Sequence, residues 1–199
     1  MPISANGHKH LIVIAGPNGS GKTTLADSLF NKNGKSSYFV NSDNIAAGIS
    51  PYNIKNAAFQ AGRTMLKTIH DLLNKNDSFA FETTLSGRGY CNLLKEARQR
   101  KYKISIFFIY VASIGAANKR IRQRVKNGGH NVPVMDVKRR FPRCFENFWK
   151  LYRPLCDEWY IFNNSHSRPH MEISRIEFLK LDKPASLLFQ GNFLKKAAK

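Results

Sequence analysis

The sequence predicts an α/β fold in three layers around a mostly parallel sheet of five or six strands. Short apolar runs alternate along the chain with segments of helical periodicity, which favours parallel strands joined by crossover helices. The run at residues 103–111 is apolar on both faces, as a strand in the middle of such a sheet is expected to be. A glycine-rich loop directly follows the first apolar run. Together these observations predict a ligand site at the carboxyl ends of the strands.

The apolar pattern also predicts where the elements lie. We expect strands at about residues 10–15, 37–41, 79–81, 103–111 and 159–163, and helices at about 21–31, 53–76, 89–100 and 116–126. A further helix follows residue 133, and Pro142 should interrupt it. A strand or hairpin is expected after Met171, and a last helix at about 185–198. The 199 residues are expected to form one domain, with residues 1–9 as a polar N-terminal tail and about 166–199 as a C-terminal extension packed on it.

The net charge of +19 is the strongest feature of the composition. The excess is concentrated between residues 95 and 153, where only Glu96, Asp136 and Glu146 are acidic. Such a charge suits nucleic acid, an acidic surface or a small substrate with several phosphates. No apolar run is long enough for a membrane span. The three cysteines show neither a metal spacing nor an even disulfide count, which favours a reduced, cytoplasmic setting.

The segment after the first predicted strand is a phosphate-binding loop. Gly16, Gly21, Lys22 and Thr23 satisfy the pattern G-x-x-x-x-G-K-[ST], in which glycines let backbone N–H groups surround phosphate oxygens. Lys22 is expected to reach the β- and γ-phosphates of ATP, and the Thr23 hydroxyl to help hold Mg²⁺. The predicted nucleotide-binding residues are Gly16, Pro17, Asn18, Gly19, Ser20, Gly21, Lys22, Thr23 and Thr24. With the alternating strands and helices, this loop predicts P-loop kinase architecture.

This chain lacks the sequence signatures of other classes of P-loop protein. The guanine-reading Asn-Lys-x-Asp of GTPases is absent, and the central predicted strand ends in Val111-Ala112-Ser113 without the Asp-Glu usual in AAA-type motors. The carboxylates that serve Mg²⁺ and substrate must therefore come from Asp43 and Glu82, which follow two other predicted strands. Asp43 could instead cap a helix, and Glu82 could be a buried partner of an arginine.

Arginines flank a flexible break at Gly128-Gly129. Arg120 and Arg124 lie four residues apart on one helix edge, and Arg139 and Arg140 follow the break. This arrangement is similar to the mobile lid of small nucleotide-type kinases, in which guanidinium groups neutralise charge on the phosphoryl group in transfer.

Taken together, the motifs resemble the zeta toxin family of small P-loop kinases over about residues 11–165. They are Gly16-Pro17-Asn18-Gly19-Ser20-Gly21-Lys22-Thr23-Thr24, Asn41-Ser42-Asp43, Phe81-Glu82-Thr83-Thr84-Leu85-Ser86, Gly128-Gly129-His130-Asn131-Val132-Pro133, Arg139-Arg140-Phe141 and Phe162-Asn163-Asn164-Ser165. The resemblance implies ATP- and Mg²⁺-dependent phosphorylation of a sugar hydroxyl on UDP-N-acetylglucosamine or a related UDP-amino-sugar. It also implies a small antitoxin partner that blocks the nucleotide site. The alternative that the net charge motivates is a P-loop protein that acts on or binds RNA or DNA; a nucleotide switch without turnover is a third hypothesis.

The resemblance also assigns roles to single residues. Lys22 and Thr23 match the nucleotide and metal contacts, and Asp43 matches the base that takes the proton of the sugar hydroxyl. Glu82 and Thr84 match the substrate-binding residues at a strand exit.

Two further assignments depend on arginines. Better-characterised toxins carry an arginine shortly after the matching threonine, where this chain reads Leu85-Ser86-Gly87-Arg88, so Arg88 is the expected substitute for substrate binding. In the lid, Arg120 or Arg124, and Arg139 or Arg140, match the catalytic arginines, and we expect Arg120, Arg124 and Arg140 to contribute.

Overall fold

A computed structural model of the protein describes residues 9–30, 38–50, 54–166, 169–181 and 183–198. The strands are β1 (His10–Ala15), β2 (Tyr38–Val40), β3 (Phe79–Thr83), β4 (Lys103–Tyr110), β5 (Glu158–Asn163) and β6 (His170–Ser174). The α-helices are α1 (Lys22–Phe30), α2 (Ser42–Ile49), α3 (Ile54–Lys75), α4 (Tyr90–Gln99), α5 (Ile114–Lys126), α6 (Val134–Asn147), α7 (Arg175–Leu179) and α8 (Lys183–Lys195). Residues 1–8 of the predicted N-terminal tail lie outside the described part of the chain.

The strands form one six-stranded sheet in the order β2-β3-β1-β4-β5-β6. All neighbouring pairs are parallel except β5 and β6, which pair antiparallel. The prediction of a mostly parallel sheet with helices on it is confirmed, and the strand expected after Met171 is the antiparallel edge strand β6. Because β1 lies between β3 and β4, the loop that follows β1 opens at the centre of the sheet, beside the carboxyl end of β3.

Helix α2 is an element that the sequence pattern did not reveal. It begins directly after β2, and Asn41 caps it: the Asn41 side chain accepts hydrogen bonds from the backbone N–H groups of Asp43 at 2.7 Å and Asn44 at 3.3 Å. An asparagine at this position satisfies two of the unpaired N–H groups at a helix start. The helix cap is therefore Asn41, and Asp43 occupies the first turn of the helix.

The expected interruption at Pro142 is wrong, because α6 continues through it from Val134 to Asn147. A proline inside a helix removes one N–H donor and crowds the preceding turn, at a cost of about 3 kcal/mol or more. Phe141 and Phe145, on either side of the proline, are fully buried, and burying each such ring contributes about 1.5–3 kcal/mol. Packing of α6 against the core thus outweighs the local preference of the proline.

Much of the aromatic core lies between β4 and the helices α6 and α8. The Phe108 ring of β4 stacks on Phe148 at a centroid distance of 4.5 Å and meets Phe193 of α8 edge-on at 5.7 Å. Phe145 and Phe193 are 5.1 Å apart. These rings fix α6 against the sheet, so the opposite side of α6 can carry charged side chains toward the end of β1.

A polar cluster attaches the end of the chain to β4. The Tyr110 hydroxyl donates to the Glu172 carboxylate at 2.8 Å, and Lys196 Nζ lies 2.6 Å from the same carboxylate. Burial and the adjacent Glu172 carboxylate raise the pKa of Tyr110 far above its usual range. Within the described ranges, no helix has both the length and the apolar character needed to cross a membrane.

Candidate active site

The loop after β1 has a backbone conformation that favours glycine at three positions, Gly16, Gly19 and Gly21. Gly16 and Gly21 have φ angles of +143° and +94°, which side chains with a Cβ rarely tolerate. A Cβ on Gly16 would lie 1.9 Å from the carbonyl oxygen of Ile109, and one on Gly21 would lie 2.5 Å from Nδ2 of Asn164. The loop is thus packed directly against the ends of β4 and β5.

Lys22, the first residue of α1, points back into this loop. Its side chain is only 7% exposed. The ammonium group donates to the carbonyl of Pro17 at 3.1 Å and lies 3.7 Å from Oε1 of Glu82. Both partners can be exchanged for phosphate oxygens, because Lys22 sits at the mouth of the loop where a phosphate chain would enter.

Glu82 connects the elements that meet at the centre of the sheet. Its Oε2 accepts hydrogen bonds from the Thr23 hydroxyl and from Nδ2 of Asn41, both at 2.9 Å. Glu82 lies inside β3, paired with Ile14 of β1, although the sequence pattern ended that strand at residue 81. The sequence left open that Glu82 pairs with an arginine; among the described residues its ion pair is Lys22.

Asp43 lies on α2 at the edge of the same group of side chains. It is exposed, and it lines the cleft with Ser42. The cap of α2 is made by Asn41, so the Asp43 carboxylate stays available for other chemistry.

The turn after β3 is held in a costly backbone conformation. Leu85 has φ +54° although it is not glycine, and its side chain is 1% exposed. Two side chains bind the carbonyls of this turn: Asn147 Nδ2 donates to Leu85 at 2.9 Å, and the Tyr152 hydroxyl donates to Gly87 at 2.7 Å. These bonds fix Thr84, which lines the cleft and lies just before Leu85.

Arginines of α5 and α6 form the opposite wall of the cleft, which we call the arginine wall (Arg124 and Arg140). Nε and Nη2 of Arg124 are buried without a hydrogen-bond partner among the described residues. Arg140 lies 3.7 Å from Oδ2 of Asp136, while Arg139 binds Oδ1 of the same carboxylate at 2.8 Å. The hydrogen bond from Arg139 and the charge of Arg140 hold the pKa of Asp136 below its usual range. Leaving Arg124 without an acceptor is unfavourable, so this wall suits an anion.

Outside the phosphate loop, the predicted site residues Arg120 and Arg88 do not line the cleft. Within the loop, the predicted residues that do not line it are Gly16, Pro17, Ser20, Gly21, Thr23 and Thr24. Arg120 Nη2 instead donates to the carbonyl of Asn164 at 2.6 Å, and Nδ2 of Asn164 donates to the carbonyl of Ser20 at 2.8 Å. Arg120 thus supports the phosphate loop from behind. Arg88 is exposed at the start of α4.

The loop wall (residues 16–24 with Glu82) and the arginine wall enclose a cleft of about 560 Å³. The predicted residues Asn18, Gly19, Lys22, Asp43, Glu82, Thr84, Arg124 and Arg140 all line it. Sequence reasoning missed Asn41, Met65 and Tyr90 as lining residues. The Tyr90 hydroxyl donates to the Met65 sulfur at 3.6 Å, which fixes an apolar surface beside Thr84. The sequence carried two signals for Asn41: it belongs to the motif Asn41-Ser42-Asp43, and it lies between a strand and Asp43, where asparagine is a common helix cap.

The cleft residues fit nucleotide phosphates and a magnesium ion. Besides Arg124, the side-chain oxygen of Asn18, which lines the cleft, is buried without a partner among the described residues, so the site holds polar groups that a ligand would satisfy. Thr23 and Glu82 supply the oxygen ligands that Mg²⁺ prefers. The described residues contain no group of three His, Cys, Asp or Glu side chains that could hold a metal by themselves, and Mg²⁺ in such sites is completed by phosphates and water.

Comparison with solved structures supports the same architecture. AvrRxo1-ORF1 in its complex with AvrRxo1-ORF2 and ATP superposes with a TM-score of 0.68 at 15% identity, over 92% of this chain and 63% of that one. A structure of the PezAT chromosomal toxin–antitoxin system of Streptococcus pneumoniae gives a TM-score of 0.62 at 10% identity, over 98% of this chain and 90% of that one. At these identities the likeness shows the fold, which is that of P-loop kinases. The chain spans less than two thirds of the length of the AvrRxo1-ORF1 chain.

Two comparisons of sequence show the family. An uncharacterized protein of Haemophilus influenzae is 33% identical over 130 residues, which is 65% of this chain and 91% of that protein. The family described as an AAA domain matches residues 11–142, more than half of the chain and the segment from β1 into α6. Although β4 ends without the acidic pair of AAA-type motors, the chain belongs to this AAA domain family.

Proposed function

We propose that this protein is an ATP- and Mg²⁺-dependent phosphotransferase of the zeta toxin type. Its acceptor would be a hydroxyl group of UDP-N-acetylglucosamine or a related UDP-amino-sugar. The observation that carries the proposal is that one cleft brings together the phosphate loop, the exposed carboxylate of Asp43 and the guanidinium of Arg124, two of whose nitrogens have no hydrogen-bond partner among the described residues. These three features are what phosphoryl transfer to a hydroxyl requires: a donor site, a proton acceptor and charge neutralisation.

At the donor end, Lys22 changes partners when ATP binds. Its ammonium leaves the Pro17 carbonyl and the Glu82 carboxylate and binds the β- and γ-phosphates. Thr23 and Glu82 would hold Mg²⁺, which would supply charge neutralisation for the phosphates. Arg120 and Asn164 keep the loop in place by hydrogen bonds that do not involve the ligand.

At the acceptor end, Asp43 is the proposed general base. It takes the proton of the acceptor hydroxyl as that oxygen bonds to the γ-phosphorus and the bond to the ADP oxygen breaks. Arg124 and Arg140 donate to the oxygens of the phosphoryl group during transfer. Thr84, Met65 and Tyr90 form the surface on which the acceptor rests.

The identity of the acceptor depends on how a diphosphate would be held. Arg88 lies outside the cleft, so the diphosphate of a UDP-sugar would be bound by the arginine wall or face solvent. Transfer to N-acetylglucosamine without UDP therefore separates recognition of the sugar from recognition of the nucleotide.

A small antitoxin-like partner that covers the cleft is part of the same proposal. The PezAT structure is of a toxin–antitoxin system, and the AvrRxo1 structure is of a two-protein complex that also holds ATP. Both support a small partner protein, and exclusion of ATP by that partner is a separate part of the proposal. We place the reaction in the cytoplasm, because the described cysteines are all free thiols.

The decisive experiment supplies γ-labelled ATP and Mg²⁺ with a panel of acceptors. The panel contains UDP-N-acetylglucosamine, UDP-N-acetylgalactosamine, free N-acetylglucosamine and an oligonucleotide with a free 5′-hydroxyl. We expect label on a UDP-amino-sugar with the wild-type protein and none with Asp43→Asn. Label on none of these acceptors, or on the oligonucleotide alone, would contradict the proposed substrate.

Phosphorylation of nucleic-acid ends is the second candidate, and the net charge of +19 favours it. A polynucleotide releases many counterions, so its binding falls with log salt at a slope of about −0.9 for each duplex phosphate contacted. A UDP-sugar bound by a few groups in the cleft is expected to depend far less on salt. Measuring KM for both acceptors at several salt concentrations distinguishes the two.

A further inference from the structure

A second groove lies at the opposite end of the strands from the cleft. It has a volume of about 370 Å³ and lies where β5 begins, next to α7. The cleft lies at the carboxyl ends of the parallel strands and the groove at the amino end of β5, and a six-residue strand is about 20 Å long. The side chains that matter in this groove are Arg98, Arg153, Asp157, Arg175, Phe178 and Leu179.

Three guanidinium groups face one carboxylate in this groove. Among the described residues, none of Arg98, Arg153 and Arg175 forms an ion pair with an acidic side chain. Asp157 uses one carboxylate oxygen to accept the backbone N–H of Ile104 at 2.8 Å. The groove therefore carries an excess of positive charge in a concave site, which favours an anionic ligand.

Aromatic rings hold the central arginine in position. The Arg153 guanidinium lies 4.3 Å from the centre of the Trp149 ring, 5.4 Å from that of Phe178 and 5.8 Å from that of Trp159. Cation–π contacts of this kind contribute about 0.5–2 kcal/mol each. Arg153 is thus ordered before any ligand arrives, so less side-chain entropy is lost on binding.

Apolar side chains border the charged groove. Leu179 and Ile176 on α7 are 65% and 62% exposed, and Leu179 lines the groove beside Phe178. Exposed leucine and isoleucine next to a concave charged site are typical of a protein-binding surface. Trp159 and Trp149 are only 2% and 3% exposed, so these rings offer no face on which a nucleic-acid base could stack.

We infer that this groove binds an acidic amphipathic segment of a partner protein. Carboxylates of the segment would pair with Arg98, Arg153 and Arg175, and an apolar side chain would rest on Phe178 and Leu179. A second copy of this chain is a poor occupant, because its 32 Lys and Arg against 13 Asp and Glu would bring like charge to the groove. The partner binds without covering the cleft, so it is distinct from a partner that excludes ATP.

The test uses a fluorescein-labelled helical peptide that carries leucines at i, i+3, i+4 and i+7 and glutamates beside them. Anisotropy is measured at about 0.15 M salt, where long-range attraction between exposed charges is largely screened. We expect the double variant Arg98→Glu/Arg175→Glu to weaken binding at least about tenfold. The matched control is Lys67→Glu/Lys138→Glu, which changes the net charge equally at exposed positions outside the groove, and it should change binding less than about twofold. Leu179→Ser should weaken binding of this peptide but not of one in which serines replace the leucines.

Three outcomes would overturn the inference. Equal losses in the two double variants would mean that the peptide responds to net charge alone. No effect of Leu179→Ser would remove the apolar contact. Tighter binding of an oligouridylate than of the peptide, lost in Arg98→Glu/Arg175→Glu, would assign the groove to RNA. Circular dichroism and binding of an ATP analogue check that every variant is folded and keeps its cleft.

Discussion

The two walls of the cleft hold their charges in opposite ways. On the loop wall, the Lys22 ammonium is bound to the Pro17 carbonyl and lies near the Glu82 carboxylate, which also accepts from Thr23 and Asn41. On the arginine wall, Nε and Nη2 of Arg124 are buried without an acceptor among the described residues. The loop wall is therefore satisfied within the protein and must exchange partners to bind a phosphate. The arginine wall gains partners when an anion arrives.

This difference predicts different behaviour under mutation. Residues of the loop wall are bound to one another, so replacing one affects both the resting structure and the ligand. A replacement of Arg124 removes buried N–H groups that lack an acceptor among the described residues from the resting protein, and a favourable contact from the loaded one. We therefore expect a variant of Arg124 to lose turnover without losing stability, and variants of loop-wall residues to lose both.

Lys22→Ala should have the largest effect. Removing a single preorganised donor from developing charge costs about 10²–10³ in kcat, and Glu82 also loses its ion pair. We expect turnover to fall to below about 1% of wild type, with a lower melting temperature. The matched control is Lys67→Ala on the exposed face of α3. Turnover above a few per cent would show that Lys22 does not contact the phosphates.

Asp43→Asn should lower kcat by about 10²–10⁴, the usual range for loss of a general base. The affinity for ATP and the melting temperature should stay near wild type, since Asn41 caps α2 and an amide fits the same space. Asp71→Asn, an exposed carboxylate on α3, is the control. If the Asp43 variant keeps normal kcat, the base is another group.

Arg124→Ala and Arg120→Ala test the two lid arginines against each other. Arg124→Ala should lower kcat about a hundredfold, while the melting temperature stays the same or rises. Arg120→Ala should mainly lower the melting temperature and the affinity for ATP, because it removes the bond to Asn164 behind the loop. The reverse pattern would place Arg120 on the phosphates.

Gly129→Ala should move Arg124 without removing it. A Cβ at residue 129 would lie 2.5 Å from Cγ of Arg124, so that flexible side chain must shift. The same Cβ would lie 3.0 Å from the backbone carbonyl oxygen of Arg124, so we expect kcat to fall several-fold and the melting temperature to fall as well. Gly115→Ala is the control, since its Cβ would meet no atom closer than 3.6 Å and alanine favours the helix by about 1 kcal/mol. Equal activity of the two variants would mean that the position of Arg124 is not critical.

The sequence predicted the loop wall more fully than the arginine wall, for a physical reason. The motif of Gly16, Gly21 and Lys22 has one backbone solution, and the strand before it fixes its place in the sheet. Arg120 and Arg124 lie one helical turn apart on one edge of α5, and the pattern cannot say which of them faces the cleft. Tertiary contacts decide it: Asn164 of the segment after β5 binds Arg120. Arg120 and Asn164 are 44 residues apart in the sequence, so no local pattern predicts their contact.

The same limit applies to the elements around the site. α2 was missed because its start depends on the Asn41 cap, and the continuity of α6 through Pro142 depends on rings buried on its far side. β3 continues through Glu82 because its residues pair with β1 up to the end of that strand, and the sequence pattern does not show this pairing. The resemblance placed Arg88 in the cleft, but Gly87 lines the cleft while the Arg88 side chain is exposed outside it.

The smallest predicted effect concerns Cys144, which lies in α6 beneath the arginine wall. Its thiol donates to the carbonyl of Arg140 at 3.0 Å. Burial raises the pKa of Cys144 from 9.0 to about 12, so the folded protein keeps the proton that the unfolded chain loses above about pH 9. Because the unfolded state ionises first, the stability contribution of this thiol is fully present below pH 9 and is lost as the pH rises toward 12.

We therefore expect the free energy of unfolding in urea to fall between pH 8.5 and 10.5, by on the order of 1 kcal/mol per pH unit for each such thiol. Cys144→Ala should flatten this slope and cost about 1 kcal/mol at neutral pH. Cys156→Ala is the informative control, because burial also raises the pKa of Cys156 to about 12 while its Sγ donates to Arg153 and not to α6. Both variants should flatten the slope, but only Cys144→Ala should also alter kcat, since only Cys144 supports the helix that carries Arg140. An unchanged slope in Cys144→Ala would mean that the thiol ionises in the folded state as readily as in the unfolded chain.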